Sequence, residues 1–466
     1  VCVLALPSFL YTGAYIISDA PAPKDGVEDP PLPDDKLSDG LLFIVLDGGR
    51  QSLMDSQELM PNLHAKKRNG TYIDVLTNPL TMTASCVKEM ATGIPSRPNE
   101  GLNNFHPDHP GTEDGWTLAS EHDGNQDGIM DYRVGIVGDY VWGDLYDDNE
   151  KINFMKHRYG HADYYRGDEE SFVTLNAWLD GEVPPSNTRP GTTYEEPPNV
   201  IIAHLSGLDS VGHRYAVKDS EEYAEKLRWL DEHFGTIFEK VPESWTVLVT
   251  ADHGLTDSGQ HGSPDQEIRE VGAWMWGPNV KQNYYYPEQI DQRDLATLPS
   301  LLFSLPLPHA VHGKFPLDAF ELSDEREQVL DQWNWDATVS RNEWMEDNGH
   351  PYFEDLTRDN IEWEKITYDE IGLRSFDLIV TAVVFIMMTG GVFLLARREG
   401  ISDSGAKIMA GIFAGSFLLS AFISYNRDTL TKPYYGIGYL LPILFFATCF
   451  YLSLIHISEP TRLHCI

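Results

Sequence analysis

The hydrophobic pattern of the chain predicts a globular α/β domain followed by membrane helices. Three short apolar runs, at residues 41–46, 200–205 and 245–250, are each followed directly by polar residues. Continuous apolar runs of this length are typical of buried parallel strands. Residues 220–238 lie between the last two runs and repeat apolar side chains at helical spacing. The pattern therefore predicts a mostly parallel central sheet with functional residues at the carboxyl ends of its strands.

The segments around this domain differ in composition. An apolar run at residues 1–18 predicts part of a signal anchor, and residues 19–40, rich in Pro and Asp, predict a linker. The globular domain is expected at residues 41–320. Residues 321–375 are acidic and contain several Trp without a strong period, so we expect an irregular juxtamembrane segment. Residues 452–466 resemble a translated sequencing adapter and are excluded from the prediction of the fold.

Three apolar stretches near the carboxyl end are each about long enough to cross a bilayer. They lie at residues 376–396, 408–425 and 434–451, and the third is expected to be truncated. A buried globular helix is the alternative for each one, but three in succession favour transmembrane helices. The loop after the first stretch carries two Arg and one Lys, which predicts a cytoplasmic loop and a globular domain on the extracytoplasmic or luminal side. The sequon at residues 69–71 lies in that domain, although such triplets also occur by chance.

The charge and the cysteines narrow the function classes. The chain has 34 Lys and Arg against 72 Asp and Glu, a formal charge of −38, which opposes nucleic-acid binding. Its four cysteines are too few and too scattered to predict a disulfide framework. Cys86 lacks the Pro and Arg that follow the modified Cys of sulfatases.

Asp and His side chains follow each of the three predicted strands. They are Asp47 after the first strand, Asp209 and His213 after the second, and Asp252, His253 and His261 after the third. Zn²⁺ binds these side chains readily, and two divalent ions can activate a nucleophile, neutralise phosphate oxygens and assist a leaving group. One such group is ordinary in loops, but three at strand ends predict a two-metal site.

Three motifs carry a resemblance to a known family. Residues 47–50 (DGGR), 204–214 (HLSGLDSVGHR) and 252–262 (DHGLTDSGQHG) resemble the alkaline phosphatase superfamily. The short spacing from His253 to His261 is similar to that of its glycosylphosphatidylinositol ethanolamine-phosphate transferases, with type I phosphodiesterase/nucleotide pyrophosphatases as the next relatives. This resemblance implies an α/β, alkaline-phosphatase-like three-layer sandwich with a mostly parallel central sheet, joined to carboxyl-terminal transmembrane helices.

The resemblance also implies roles for single residues. One metal would be held by Asp209, His213 and His261, and the other by Asp47, Asp252 and His253. The family's spacing to a Thr-Gly pair, here Thr92-Gly93, selects Thr83 over Thr81 and Ser85 as the nucleophile that also contacts metal. The same family pattern makes Asn104 a ligand of a phosphate oxygen. Zn²⁺ is the expected metal, with Mn²⁺ as the alternative.

A separate acidic loop has the spacing of a calcium site. Asp123, Asn125, Asp127 and Asp131 place oxygen atoms at alternating positions, with Gly at the sixth. Position twelve is Val134, so the usual closing carboxylate is missing. The loop is therefore either a Ca²⁺ site or an acidic surface turn.

The predicted function is transfer of a phospho-alcohol, such as phosphoethanolamine, by a membrane-anchored enzyme. The donor would be a phospholipid, the acceptor a glycan or lipid, and the intermediate a covalent adduct of Thr83. Hydrolysis of a small phosphate ester at the same site is the first alternative. A non-catalytic membrane scaffold that keeps the fold is the second.

Overall fold

The computed structural model describes residues 36–96, 113–157, 163–263, 265–348, 356–358, 375–398, 400–408 and 410–411. The apolar amino-terminal run, the adapter-like tail and most of the second and third apolar stretches lie outside these ranges. The chain divides into two compact units, one at residues 17–370 and the other formed by residues 1–16 and 371–466.

The larger unit contains one mixed sheet, with nine strands among the described residues. They are β1 (Gly40–Leu46), β2 (Thr71–Leu76), β3 (Val134–Gly138), β4 (Asn153–Lys156), β5 (Val200–Leu205), β6 (Trp245–Ala251), β7 (Glu270–Trp276), β8 (Tyr284–Tyr285) and β9 (Ile290–Asp291). Their order is β4-β3-β5-β1-β6-β7-β2-β8, with β9 also beside β2. Five neighbouring strands in this order, β4, β3, β5, β1 and β6, are parallel to one another. Strand β7 is antiparallel to both β6 and β2.

Helices connect these strands. They are α1 (Gln51–Met54), α2 (Pro61–Ala65), α3 (Thr83–Thr92), α4 (Gly115–Glu121), α5 (Tyr140–Leu145), α6 (Arg166–Leu179), α7 (Gly207–Tyr215), α8 (Glu221–Lys240), α9 (Gln266–Arg269), α10 (Leu298–Phe303) and α11 (Asp324–Asp347). The three strands predicted from the first three apolar runs and the helix predicted at residues 220–238 are confirmed, with ends that differ by at most two residues.

One face of the sheet packs against α4 and α5. Phe43 of β1 contacts Trp116 of α4 and Trp142 of α5, with ring centroids 5.5 and 5.9 Å apart. All three side chains are completely buried. Burying an aromatic side chain stabilises a fold by roughly 3 kcal/mol, so this cluster anchors β1 at the centre of the sheet.

The opposite face packs against α6. A Cβ on Gly135 of β3 would lie 3.2 Å from Trp178 of α6. Gly135 is in register with Ile201 of β5, which is in register with Leu42 of β1. Residues in register share a face, and Leu42 and Phe43 point to opposite faces because neighbouring side chains alternate along a strand. Helices therefore cover both faces of the sheet.

The acidic segment after residue 320 was expected to be irregular, but the structure shows a helix there. It begins with α11, a helix of 24 residues whose first turn is acidic and whose start is capped by Ser323 accepting a hydrogen bond from the Arg326 N–H. The buried side chains of α11 include both apolar and polar ones, among them Trp333 and Arg341. Because polar residues are among the buried ones, the apolar residues of α11 do not recur at a clear helical spacing. The Ser323 cap and the acidic first turn stabilise the helix without contributing to that spacing.

The second unit contains α12 (Ser375–Arg398), which coincides with the first apolar stretch. Within the part of the chain that the structure describes, no helix is both long enough and apolar enough to cross a membrane.

Candidate metal centre

The predicted metal-binding residues meet at one edge of the sheet. Strands β5, β1 and β6 are neighbours and parallel, so their carboxyl ends lie side by side. Asp47 directly follows β1, and Asp252 and His253 directly follow β6. Asp209 lies in the first turn of α7 and His213 in its last turn. Because residues four apart lie on one face of a helix, α7 directs both side chains to the same side.

One group consists of Asp47, Asp252 and His253, whose candidate ligand atoms all lie within 4.8 Å of one another. His253 Nε2 is 3.7 Å from Asp47 Oδ1 and 3.4 Å from Asp252 Oδ2. The three residues are buried. This is the same set that the sequence resemblance implied for one metal.

The second group consists of Asp209, His253 and His261, again within 4.8 Å. His213 lies beside it, with Nε2 3.4 Å from Asp209 Oδ1 and 3.1 Å from His261 Nε2. The structure thus brings Asp209, His213 and His261 together as expected. In addition, His253 belongs to both groups.

Hydrogen bonds outside the groups orient the donor atoms toward their centre. His261 Nδ1 lies 2.9 Å from the Thr81 carbonyl, and His253 Nδ1 lies 3.1 Å from the Gly254 carbonyl. Because carbonyls only accept, each Nδ1 is the protonated nitrogen and each Nε2 directs a lone pair inward. Such bonds are typical of histidines that bind metals.

The Asp252 carboxylate is oriented in the same way. Its Oδ1 accepts hydrogen bonds from the backbone N–H groups of Gly48 (3.1 Å) and His253 (2.8 Å). Among the described residues, none donates a hydrogen bond to Asp252 Oδ2, which is buried. One oxygen is therefore held by the backbone and the other directed at the centre.

The protonation of the site reflects its burial. Burial, followed by repulsion from Asp209, raises the pKa of Asp252 well above its usual range, although two backbone N–H groups oppose this. Burial and the neighbouring His261 hold the pKa of His253 well below its usual range, and burial also lowers that of His261. Neutral imidazoles and carboxylates that face one another at these distances repel unless cations lie between them. The residues present therefore fit divalent metal ions.

Thr83 differs from the two neighbouring hydroxyl residues. It is the first residue of α3, and its Oγ1 lies 3.4 Å from His253 Nε2. The Thr81 hydroxyl instead donates to the Ser263 carbonyl (2.9 Å), and Ser85 is completely buried within α3. Of the three, Thr83 places its oxygen at the metal-ligand groups, at the positive end of the α3 helix dipole.

Three residues that position this edge were not predicted. The buried hydroxyl of Tyr223 on α8 donates to the Gly48 carbonyl (2.8 Å) and accepts from the Arg50 N–H (3.3 Å). The Arg50 guanidinium donates to Asp257 (2.6 Å) in the loop after β6. The Gln292 amide donates to the Asp252 carbonyl (2.7 Å). The positioning roles of these residues show no sequence signal, because each acts through a distant segment of the chain.

Two further sequence predictions stay predictions. Asn104 lies outside the described residues. In the acidic loop, Asp123 Oδ1 and Asn125 Oδ1 both accept from the Asp127 N–H, at 3.1 and 2.9 Å. Asp131 also accepts from a backbone N–H of the loop. The loop is compact and exposed.

A sheet flanked by helices, with Asp, His and Thr side chains converging at neighbouring strand ends, defines an enzyme of the alkaline phosphatase superfamily. The model of the family "Type I phosphodiesterase / nucleotide pyrophosphatase" matches residues 41–337, and the chain belongs to this family. The resemblance predicted from the motifs is thereby confirmed.

Curated relatives include GPI ethanolamine phosphate transferases. GPI ethanolamine phosphate transferase 2 of Saccharomyces cerevisiae is 22% identical over 483 residues, which cover 92% of this chain and 55% of the yeast protein. The catalytic subunit of mouse GPI ethanolamine phosphate transferase 3 is 25% identical over 55% of this chain and 22% of its own length. Transferase 1 of Schizosaccharomyces pombe is 30% identical over 27% of this chain and 16% of its own length. The chain thus spans between 16% and 55% of these relatives.

Similar solved structures include murine ectonucleotide pyrophosphatase/phosphodiesterase 5. It has 14% sequence identity and a TM-score of 0.41, with 57% of this chain and 95% of the murine chain covered. For the human protein the identity is 12% and the TM-score 0.40, with 57% and 96% covered.

Proposed function

We propose that this chain transfers a phospho-alcohol, such as phosphoethanolamine, from a phospholipid to a glycan or lipid acceptor. The observation that carries the proposal is the position of Thr83 Oγ1 beside His253, at the start of α3 and at the edge of both metal-ligand groups. The names of the curated relatives supply the transferred group and the kind of acceptor.

In this proposal Asp47, Asp252 and His253 hold one divalent ion. The residues that hold the second ion are Asp209, His213 and His261. Zn²⁺ suits this donor set best, and Mn²⁺ is the alternative. When bound, the ions lower the pKa of the nucleophile and neutralise charge on the phosphate oxygens.

Thr83 forms the covalent bond in the first half-reaction. Its Oγ1 attacks phosphorus, the bond from phosphorus to the lipid oxygen breaks, and the hydroxyl proton leaves with the departing lipid alcohol. The positive end of the α3 helix dipole stabilises the charge on the phosphate oxygens. In the second half-reaction an acceptor hydroxyl attacks the same phosphorus, the bond from phosphorus to Thr83 Oγ1 breaks, and the proton of the acceptor hydroxyl passes to Thr83.

Hydrolysis is the second candidate, because the matching family is named for phosphodiesterases and pyrophosphatases. The same residues serve both reactions, since only the final attacking group differs. Water replaces the acceptor hydroxyl in hydrolysis. The choice therefore depends on how well water is excluded while Thr83 carries the phosphoryl group.

We also propose that the protein is anchored in a membrane, with the catalytic unit on the extracytoplasmic side. The three apolar stretches near the carboxyl end support this, as does the basic loop after the first. A membrane anchor suits a lipid donor because it keeps the site near the bilayer.

Phosphatidylethanolamine labelled in its headgroup tests the proposal. The full chain in detergent with donor lipid and a glycolipid acceptor should label the acceptor, and a chelator should abolish the labelling until Zn²⁺ is restored. Release of free phosphoethanolamine without labelled acceptor would instead favour hydrolysis. Equal labelling with and without chelated metal would contradict the metal-dependent mechanism.

A further inference from the structure

Residues Asn69, Gly70 and Thr71 form the only Asn-x-Ser/Thr triplet in the chain. Asn69 is exposed and ends a short 3₁₀ helix at Lys66–Arg68. Its backbone N–H donates to the Lys66 carbonyl (3.0 Å), which fixes the backbone while the side chain faces solvent. The acceptor amide of a potential N-glycosylation site therefore lies on the surface.

The triplet lies at the edge of the sheet opposite the metal centre. Strand β2 starts at Thr71 and is antiparallel to β7, which is antiparallel to β6. Strand β2 therefore runs in the same direction as β6 and β1. Its first residue, Thr71, pairs with Met275 of β7, which pairs with Leu248 in the middle of β6, so Asn69 precedes β2 on the side away from the carboxyl ends that carry the metal-ligand groups. A large group on Asn69 would not obstruct the site.

The third residue of the triplet behaves differently. Thr71 is 1% exposed, and its hydroxyl donates to the Lys281 carbonyl (3.0 Å) and the Ala319 carbonyl (3.2 Å). A Cβ on Gly70 would lie 2.1 Å from the Met275 carbonyl oxygen. A glycosylating enzyme must bind the hydroxyl of the third residue of the triplet. In the folded domain the Thr71 hydroxyl is covered by the segments around Lys281 and Ala319, which come more than 200 residues later in the chain.

We propose that Asn69 carries an N-linked glycan, added before Lys281 and Ala319 pack against β2. The co-reactant is an oligosaccharide linked to a lipid diphosphate. The Asn69 Nδ2 forms a bond to C1 of the first sugar, the bond from C1 to the diphosphate oxygen breaks, and the amide proton is transferred to the departing diphosphate. The proposal needs the catalytic unit on the extracytoplasmic side but involves no catalytic residue, so it stands apart from the transferase proposal.

The full chain expressed in a eukaryotic secretory host tests the site. On a denaturing gel it should show one retarded band that peptide N-glycosidase removes, with conversion of Asn69 to Asp seen by mass spectrometry. Asn69→Gln and Thr71→Val should lack the shift, whereas Thr71→Ser should keep it. Asn348→Gln is the matched control, because Asn348 is exposed and has no sequon. Because the gel is denaturing, it detects the glycan equally in chains that were folded and in chains that were misfolded.

An unshifted wild-type chain, or a shift that persists in Asn69→Gln, would overturn the proposal. Pulse labelling tests the order of events. Chains labelled while synthesis of the lipid-linked oligosaccharide is inhibited should stay unmodified after the inhibitor is removed, and chains made afterwards should carry the glycan. Modification of the already folded chains would contradict the claim that the glycan precedes folding.

Discussion

At the scale of single residues, the proposed chemistry depends on the Thr83 hydroxyl. Thr83→Ala should lower the rate of transfer by at least about 10³-fold, because neither Thr81 nor Ser85 places a hydroxyl at the metal-ligand groups to form the covalent intermediate instead. Bound metal and the folded state should be retained, since six other side chains can hold the ions. Headgroup-transfer assays and elemental analysis measure the two quantities.

Thr83→Ser is the matched control, because it keeps a hydroxyl at the start of α3. It should retain activity well above that of Thr83→Ala. Equal activity of Thr83→Ala and wild type would exclude Thr83 as the nucleophile.

Asp294 should make the stability of the folded domain depend on pH. Burial, followed by repulsion from Asp291, raises the pKa of Asp294 to about 7. A carboxyl group with a raised pKa in the folded state stabilises the fold below its unfolded pKa, near 4, and this contribution is lost as the pH rises to about 7. The hydrogen bond that Asp294 accepts from the Lys314 N–H partly opposes this rise of the pKa. The loss should be on the order of a few kcal/mol.

Asp294→Asn resembles the protonated side chain and cannot ionise. The variant and the wild type should therefore have similar free energies of unfolding near pH 4, and the variant should be the more stable protein above pH 7. Denaturant unfolding at both pH values measures this. A difference that does not change with pH would contradict the raised pKa.

Sequence patterns could predict which residues form the two candidate metal-ligand groups but not the residues that orient them. Asp47, Asp209 and Asp252 follow apolar strands, and this order along the chain is visible without a structure. Tyr223 is visible only as one member of the apolar stripe of α8, because the role of its hydroxyl depends on packing against the turn after β1. A contact between residues 175 positions apart has no local signal.

At the scale of elements, α8 holds the turn that carries Asp47. Tyr223→Phe removes two hydrogen bonds to this turn and keeps the buried ring. We expect a loss of about 1 kcal/mol in stability and about 10-fold in metal affinity, because the Gly48 N–H also orients Asp252. Metal titration followed by spectroscopy measures the affinity.

Tyr146→Phe is the control for this variant. Tyr146 is also buried, and its hydroxyl donates to Asp114 (3.2 Å), away from the metal ligands. It should lower stability without changing metal affinity. The same loss of affinity in both variants would show a general effect of destabilisation rather than an effect of the turn.

The directions and boundaries of elements were predicted unequally. Continuous apolar runs predicted the parallel strands β1, β5 and β6. The antiparallel direction of β7 could not be predicted in this way, because a strand that is buried on both faces has the same apolar sequence pattern whether it is parallel or antiparallel to its neighbours. The helix α11 was missed because its buried face includes polar residues. Local capping at Ser323 was the available signal.

At the scale of the whole molecule, the proposed topology makes the catalytic unit inaccessible from the cytoplasm. In sealed microsomes, the domain at residues 41–337 should resist added protease until detergent is present, because the bilayer separates the two. Immunoblotting of the protected fragment measures this. Degradation in intact vesicles would place the domain on the cytoplasmic side.

The central claim is that phosphoryl transfer passes through Thr83. The most direct measurement is mass spectrometry of the full chain after incubation with headgroup-labelled phosphatidylethanolamine and no acceptor. The claim predicts a phosphoethanolamine adduct on Thr83 that disappears when the acceptor is added. An adduct on another residue, or labelled acceptor formed while Thr83 never carries the label, would contradict it.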